Sequence, residues 1–261
     1  MGNGQDNVEA VFARLQEAEA AIRACEGAKL QSELAAVART HRVFVGNARQ
    51  FEAFLAHFDT DVKARLELWD MRNQKGFEAF LDEVDRLFHN YLAAATSLRD
   101  HTRRLWQKYP PPDPALTTQY VRRVKETFAD SPLANFVQRL RNYSMHSKLP
   151  VAQGKLTWTR EEGDQSHVVL HRDALLAWDG LNAPARQFLQ AADEDIDLRT
   201  VVREYAGLVF EFNGWYGRAF VSGHLPLFDE LERHKEAYNE IVRASGLAQP
   251  QDTPPTAAAP E

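Results

Sequence analysis

The amino-acid sequence predicts a mainly α-helical fold, a bundle of seven to nine helices with one β-hairpin insertion at about residues 155–171. Apolar residues recur every three or four positions through most of the 261 residues, which is the spacing of helices that pack on one face. Only one stretch alternates apolar and polar residues with the period of two that strands require. An apolar content of 44% with 15 phenylalanines indicates a packed core.

Three helices are predicted before residue 76. The first begins around Val8 and Phe12, and a short third helix carries Val62 and Trp69. Between them lies a longer helix in which Gly46 is a candidate interruption, because glycine weakens a helix interior. The apolar positions of that second helix are Leu34, Val37, Ala38, Phe44, Val45, Phe51, Phe54, Leu55 and Phe58.

The longest predicted helix spans residues 77–108. The sequence PPPDP at residues 110–114 ends it, because proline fixes φ and has no backbone N–H to donate. This segment is the clearest internal boundary. We therefore expect N-terminal helices at 1–109 and a second helical part with the hairpin at 115–246, packed together as one globule.

Two helices are predicted directly after the proline segment. The first carries Leu116, Tyr120 and Val124 on one face. Ser131 and Pro132 predict the start of the second, since serine caps helix N-termini and proline suits the first helical position.

The hairpin is predicted from residues 155–160 and 166–171, which alternate in polarity around a turn at 161–164. Two strands alone are marginally stable in water. We therefore expect the apolar side chains of the hairpin to lie on the helical core: Leu156, Trp158, Val168 and Leu170.

Four further helices are predicted in the C-terminal third of the chain. Two are short, at residues 173–178 and 184–192, and Asp197 predicts the N-cap of a strongly apolar helix that continues past Tyr216. The last helix follows Pro226. Residues 247–261 are rich in proline and alanine, so we expect a disordered tail there.

The charge is distributed unevenly along this acidic chain, whose net charge is −6. Residues 99–148 contain ten Lys or Arg against four Asp or Glu, so this segment carries +6 and the remainder −12. A local positive field favours phosphate binding. The basic residues that we expect to bind RNA or phosphate are Arg122, Arg123, Lys125, Arg139 and Lys148. The alternative is that such side chains only form a solvated surface.

The residues with the most specific chemistry lie at 140–146, LRNYSMH. On a helix, Asn142 and His146 are one turn apart on the same face, and the long side chain of Arg141 can reach them from an adjacent face. An imidazole, with a pKa of about 6.5, exchanges protons at neutral pH. A guanidinium can hold the charge that develops on phosphoryl oxygens. The pattern therefore predicts cleavage of phosphodiester bonds.

The Arg-x4-His spacing, with a polar residue directly after the arginine, resembles the signature of the HEPN (higher eukaryotes and prokaryotes nucleotide-binding) superfamily of helical ribonucleases. The resemblance implies a metal-independent endoribonuclease in which the 2′-hydroxyl of RNA attacks the adjacent phosphate. It implies that His146 handles the proton, Arg141 stabilises the transition state and Asn142 orients one of them or the phosphate. It also implies a homodimer that brings two motifs together, and a toxin or phage-defence effector with a protein partner such as an antitoxin.

A second interpretation stays open. In a non-catalytic helical dimer or adaptor, the same three residues would only bind a phosphate or nucleotide, or hold the helix in place. A catalytic site predicts that Arg141 and His146 are accessible in a shared cleft. The structural interpretation predicts that local backbone groups or carboxylates satisfy these side chains.

Other classes of function are not predicted. The single cysteine, Cys25, excludes an internal disulfide and a cysteine-based zinc cluster, and no His-Glu-x-x-His pattern is present, so we expect neither a metal nor a cofactor. The sequence has no run of 18 apolar residues, and its first residues lack the apolar segment of a signal peptide. We therefore expect a cytoplasmic protein without a membrane span.

Overall fold

The computed structural model of the protein describes residues 2–146, 153–159 and 163–246. These residues are mainly helical and include one small antiparallel sheet, which confirms the predicted fold class. The helices are α1 (Gly2–Ala24), α2 (Glu26–Thr60), α3 (Val62–Leu68), α4 (Gln74–Lys108), α5 (Pro114–Val124), α6 (Pro132–His146), α7 (Arg172–Leu176), α8 (Ala183–Ala191), α9 (Leu198–Gly223) and α10 (Leu225–Ala244). The strands are β1 (Gln153–Thr159), β2 (Gly163–His171) and β3 (Asp195–Asp197). The predicted tail at 247–261 and the predicted phosphate ligand Lys148 lie outside the described residues.

Local side-chain chemistry sets several helix starts. The hydroxyl of Ser131 accepts a hydrogen bond from the amide of Ala134 at 3.2 Å, as the predicted cap requires. The carboxylate of Asp197 accepts from the amide of Thr200 at 2.7 Å before α9. By contrast, α2 passes through Gly46 without interruption. Phe44 and Phe51 are fully buried on either side of that glycine, and their packing outweighs its weak helix propensity.

A π-helical turn, Lys125–Ala129, follows α5, and we call it the π segment. The amide of Asp130 donates to the carbonyl of Lys125 at 2.8 Å, which is the five-residue spacing of a π-helix. Such turns are rare and occur often at functional sites. This one places Phe128 against Phe212 of α9, with ring centroids 4.9 Å apart.

The described part of the chain divides into two compact units, and the first consists of residues 2–35 and 224–246. Within it α1 packs against α10. Leu30 and Leu231 are buried in this unit. Gly27 approaches α10 so closely that a Cβ there would lie 2.1 Å from the carbonyl oxygen of Leu227.

The second unit, residues 36–223, has an aromatic core around α4. Phe44, Phe88 and Tyr205 surround Tyr91, whose hydroxyl donates to the carbonyl oxygen of Val202 at 3.0 Å. The predicted boundary at 110–114 connects α4 to α5 inside this unit. The predicted division at 1–109 and 115–246 remains a prediction.

The sheet has the order β1-β2-β3 and belongs to the second unit. Val168 and Leu170 are buried, as predicted. Leu156 is 45% exposed, so its predicted core position is wrong. Its strand partner is Ser166, whose hydroxyl accepts a hydrogen bond from the indole N–H of Trp69 at 3.0 Å, so the contact of this pair with the helical residues is polar and comes from Ser166. The side chain of Trp158 lies outside the described side chains.

None of the helices in the described part of the chain is long and apolar enough to cross a membrane.

Candidate functional site

The motif helix α6 is held by its apolar face. Phe136, Val137 and Leu140 are buried. The ring of Phe136 stacks on Phe188 of α8 with centroids 4.6 Å apart. These contacts fix the rotation of α6, and the neighbouring face carries Arg141 and is not fully buried.

Arg141 lines a cleft of about 390 Å³ beside α4. The polar groups that line it with Arg141 are an imidazole, two hydroxyls and a carboxylate: His89, Thr96, Ser97 and Asp100. Leu92 and Ala93 add apolar surface to its lining. The cleft therefore brings a guanidinium and an imidazole to one surface that a ligand can reach.

Asp100, which lines this cleft, is paired with two arginines of its own helix. The carboxylate of Asp100 accepts from the Nε of Arg99 at 3.2 Å and lies 3.9 Å from the guanidinium of Arg103. On α6, the Nη1 of Arg141 lies 3.4 Å from the Oδ1 of Asn142. Arg99 and Arg103 thus offset the charge of Asp100, and Arg141 is the basic side chain among the residues that line the cleft.

Of the three predicted catalytic residues, Arg141 and Asn142 are in contact and half-buried on α6. His146 is the last residue of that helix. Its side chain lies outside the described side chains, so its predicted position in a shared cleft with Arg141 remains a prediction.

The predicted phosphate ligands on α5 and the π segment contact partners of their own. Arg122 lies 3.9 Å from Glu126, Arg123 packs 5.1 Å above the ring of Trp215, and Lys125 pairs with Asp130. None of these three basic residues is among the groups that line the Arg141 cleft. The structure therefore places them on a different element from the motif.

Arg139 is half-buried on α6, two residues before Arg141. Its Nε is buried without a hydrogen-bond partner among the described residues. Its predicted role as a phosphate ligand remains a prediction.

Sequence reasoning did not select His89, Thr96 or Asp100 as site residues. They follow one another on α4 at spacings of seven and four, so they form one polar stripe along the helix. That pattern is visible in the sequence. The meeting of this stripe with Arg141 is not, because it depends on the packing of α4 against α6.

Comparison with models of known protein families, with curated proteins and with solved structures finds no match to this chain.

Proposed function

We propose that this protein is a metal-independent endoribonuclease of HEPN type that acts as a homodimer. The observation that carries the proposal is the position of Arg141. This residue belongs to α6, the helix that ends at His146, and it lines an accessible cleft together with His89 of α4. The contact between Arg141 and Asn142 adds support, because it joins two of the three residues that carry the resemblance.

In the proposed reaction, three side chains of the protein each have one role. His146 accepts the proton of the RNA 2′-hydroxyl while that oxygen attacks the neighbouring phosphorus. The bond from phosphorus to the 5′-oxygen breaks, and that oxygen takes up a proton from solvent water, so the products carry a 2′,3′-cyclic phosphate and a 5′-hydroxyl. Arg141 stabilises the negative charge on the phosphoryl oxygens, and Asn142 orients Arg141.

The charge distribution supports RNA as the substrate. Residues 99–148 carry +6 within a chain of net charge −6. Phosphate contacts release bound counterions, so we expect RNA binding to weaken steeply as salt rises. A role as a toxin or phage-defence effector follows from the resemblance and is part of the same proposal.

The test is incubation of the purified protein with end-labelled total RNA in the presence of EDTA, followed by analysis of the fragment ends. We expect wild-type protein to leave cyclic phosphate ends. The variants Arg141→Ala and His146→Ala are expected to lose at least about 100-fold in cleavage rate, since each removes a group that acts in the transition state. His89→Ala measures whether the imidazole in the described cleft contributes.

The matched control is Arg104→Ala, which removes one exposed positive charge from α4 outside the Arg141 cleft. We expect this variant to cleave at nearly the wild-type rate. Circular dichroism spectra that match wild type would confirm that the variants are folded. Cleavage at the wild-type rate by both motif variants would overturn the proposal.

A second candidate function is phosphate or nucleotide binding without catalysis. The contact between Arg141 and Asn142 also suits this role, because a guanidinium held by an amide is a preorganised phosphate ligand. This candidate predicts that Arg141→Ala weakens RNA binding while no protein sample cleaves RNA in EDTA.

A further inference from the structure

His89 supplies the imidazole that lines the Arg141 cleft. Its side chain is half-buried on α4, and its ring nitrogens make no hydrogen bond or ion pair with any described residue. By contrast, the Nδ1 of His101, on the same helix, lies 2.9 Å from the hydroxyl of Thr40. An imidazole without a protein partner in a cleft can exchange a proton with a bound ligand.

The motif helix α6 runs antiparallel to α4. Near the middle of α6, the Oε1 of Gln138 accepts a hydrogen bond from the Nη1 of Arg99, in the C-terminal half of α4. The strand that follows α6 contains Gly154, where a Cβ would lie 2.7 Å from the ring of Phe77 in the first turn of α4. From the level of Arg99, α6 therefore runs toward the start of α4.

This direction places the end of α6 at the level of His89. His146 lies eight residues beyond Gln138, which is about 12 Å of helix. Counting eight residues back from Arg99 along α4 leads to Tyr91, which is two residues from His89. The backbone of His146 therefore ends the motif helix within about one helical turn of the level of His89.

The proposed reaction has a use for a second imidazole. An alkoxide is a poor leaving group, and a positioned acid that protonates it speeds such a step by about 10²–10⁴-fold. The other polar groups that line the cleft do not suit this task, because hydroxyls and guanidiniums hold their protons tightly and the carboxylate of Asp100 already accepts from Arg99. An imidazole, with an ordinary pKa of about 6.5, can carry and release a proton near neutral pH.

We propose that His89 is the general acid that protonates the leaving 5′-oxygen, an inference that rests on the proposed ribonuclease function. As the bond from phosphorus to the 5′-oxygen breaks, its electron pair passes to that oxygen, and the imidazolium of His89 gives the oxygen its proton. His146 has taken the proton of the 2′-hydroxyl. After each turnover His89 regains a proton from water and His146 returns one, so solvent remains the final source of the proton.

The test compares two versions of one short RNA, which contains the strongest site that wild-type protein cleaves in total RNA. One version has the natural 5′-oxygen at that site, and the other has sulfur in the same bridging position. A thiolate leaves without protonation far more readily than an alkoxide, because thiols are much stronger acids than alcohols. We expect His89→Ala and His89→Gln to cleave the natural RNA at least about 100-fold more slowly than wild type. Both variants should cleave the sulfur version within about threefold of the wild-type rate, since that substrate needs no acid.

Two further variants separate this role from the other roles of the site. His146→Ala is expected to remain at least about 100-fold slower than wild type on both RNAs, because it removes the base and not the acid. His101→Ala is the matched control, since it removes an imidazole of α4 that does not line the cleft. We expect it to cleave both RNAs at nearly the wild-type rate.

The possible outcomes distinguish this inference from the function on which it rests. Cleavage of the natural RNA by both His89 variants at the wild-type rate would overturn the role of His89 and leave the proposed ribonuclease intact. The same conclusion follows if these variants are slow on both RNAs, because sulfur then fails to replace the missing acid. If wild-type protein cleaves no RNA, the proposed function is overturned and the role of His89 with it.

Discussion

At the level of single residues, Asp85 of α4 is a carboxylate in an unfavourable environment. Burial, reinforced by the nearby carboxylate of Asp82, raises the pKa of Asp85 from 3.8 to about 6. The unfolded chain therefore loses this proton at lower pH than the folded chain. Asp85 favours folding below about pH 4, and this contribution is lost as the pH rises to about 6.

Replacing Asp85 with asparagine should consequently stabilise the protein at neutral pH. The full shift corresponds to about 3 kcal/mol, and partial exposure of the carboxylate reduces the expected gain to about 1 kcal/mol. Urea denaturation of wild type and Asp85→Asn from pH 4 to pH 8 measures it. The gain should appear between pH 4 and pH 6, whereas the exposed control Glu78→Gln should change little at any pH. A difference independent of pH would contradict this explanation.

The candidate site illustrates what single residues in a sequence can predict. The types and spacing of Arg141, Asn142 and His146 are enough to propose a chemistry, because residues four apart on a helix share a face. His89 and Asp100 lie about 50 and 40 positions earlier in the chain. Their place beside Arg141 depends on how α4 and α6 pack, and that information is distributed over the apolar residues of both helices.

Among the secondary-structure elements, α2 contains two glycines in opposite environments. A methyl group at Gly27 would lie 2.1 Å from the carbonyl oxygen of Leu227 and 2.9 Å from the Cβ of Leu231. A methyl group at Gly46 would have no heavy atom within 4 Å outside its own helix. Alanine substitutions at the two positions therefore separate the effect of tertiary packing on stability from the effect of helix propensity.

We expect Gly27→Ala to destabilise the unit formed by α1 and α10 by about 1–3 kcal/mol, because the methyl group must displace a backbone atom. Gly46→Ala should stabilise α2 by about 0.5–1 kcal/mol, since alanine restricts the unfolded chain more than glycine does. Amide hydrogen exchange in α1, α10 and α2 measures both effects. Equal protection of α10 in the two variants would show that the contact at Gly27 is not tight.

The elements also differ in how well their sequences predict them. The apolar spacing from Phe80 to Trp106 predicts the long helix to within a few residues of α4, because its buried stripe repeats many times. Strand β3 has three residues and one buried side chain, Ile196, which is too short for any period to be visible. The π segment differs from an α-helix by its hydrogen-bond spacing, and no residue type specifies that.

For the whole molecule, the larger unit is expected to fold without the smaller one. The aromatic core around Tyr91 consists of residues within 36–223, and so do the sheet and the Arg141 cleft. A chain of this length can bury a sufficient core.

A fragment of residues 36–223 should therefore unfold cooperatively. We expect its thermal transitions, followed by far-ultraviolet and near-ultraviolet circular dichroism, to coincide. The near-ultraviolet signal reports the fixed aromatic core. A fragment that is helical but lacks this signal would show that its core needs residues 1–35 or 224–261.

The pairing of α1 with α10 determines the order in which the chain can fold during synthesis. About 200 residues separate Ala24, which ends α1, from Leu225, which begins α10. When residue 223 has left the ribosome, every residue of the larger unit is available to fold, while α1 still lacks its partner. Until α10 is translated, the apolar face of α1 is exposed, and this interval is when the nascent chain most needs a chaperone.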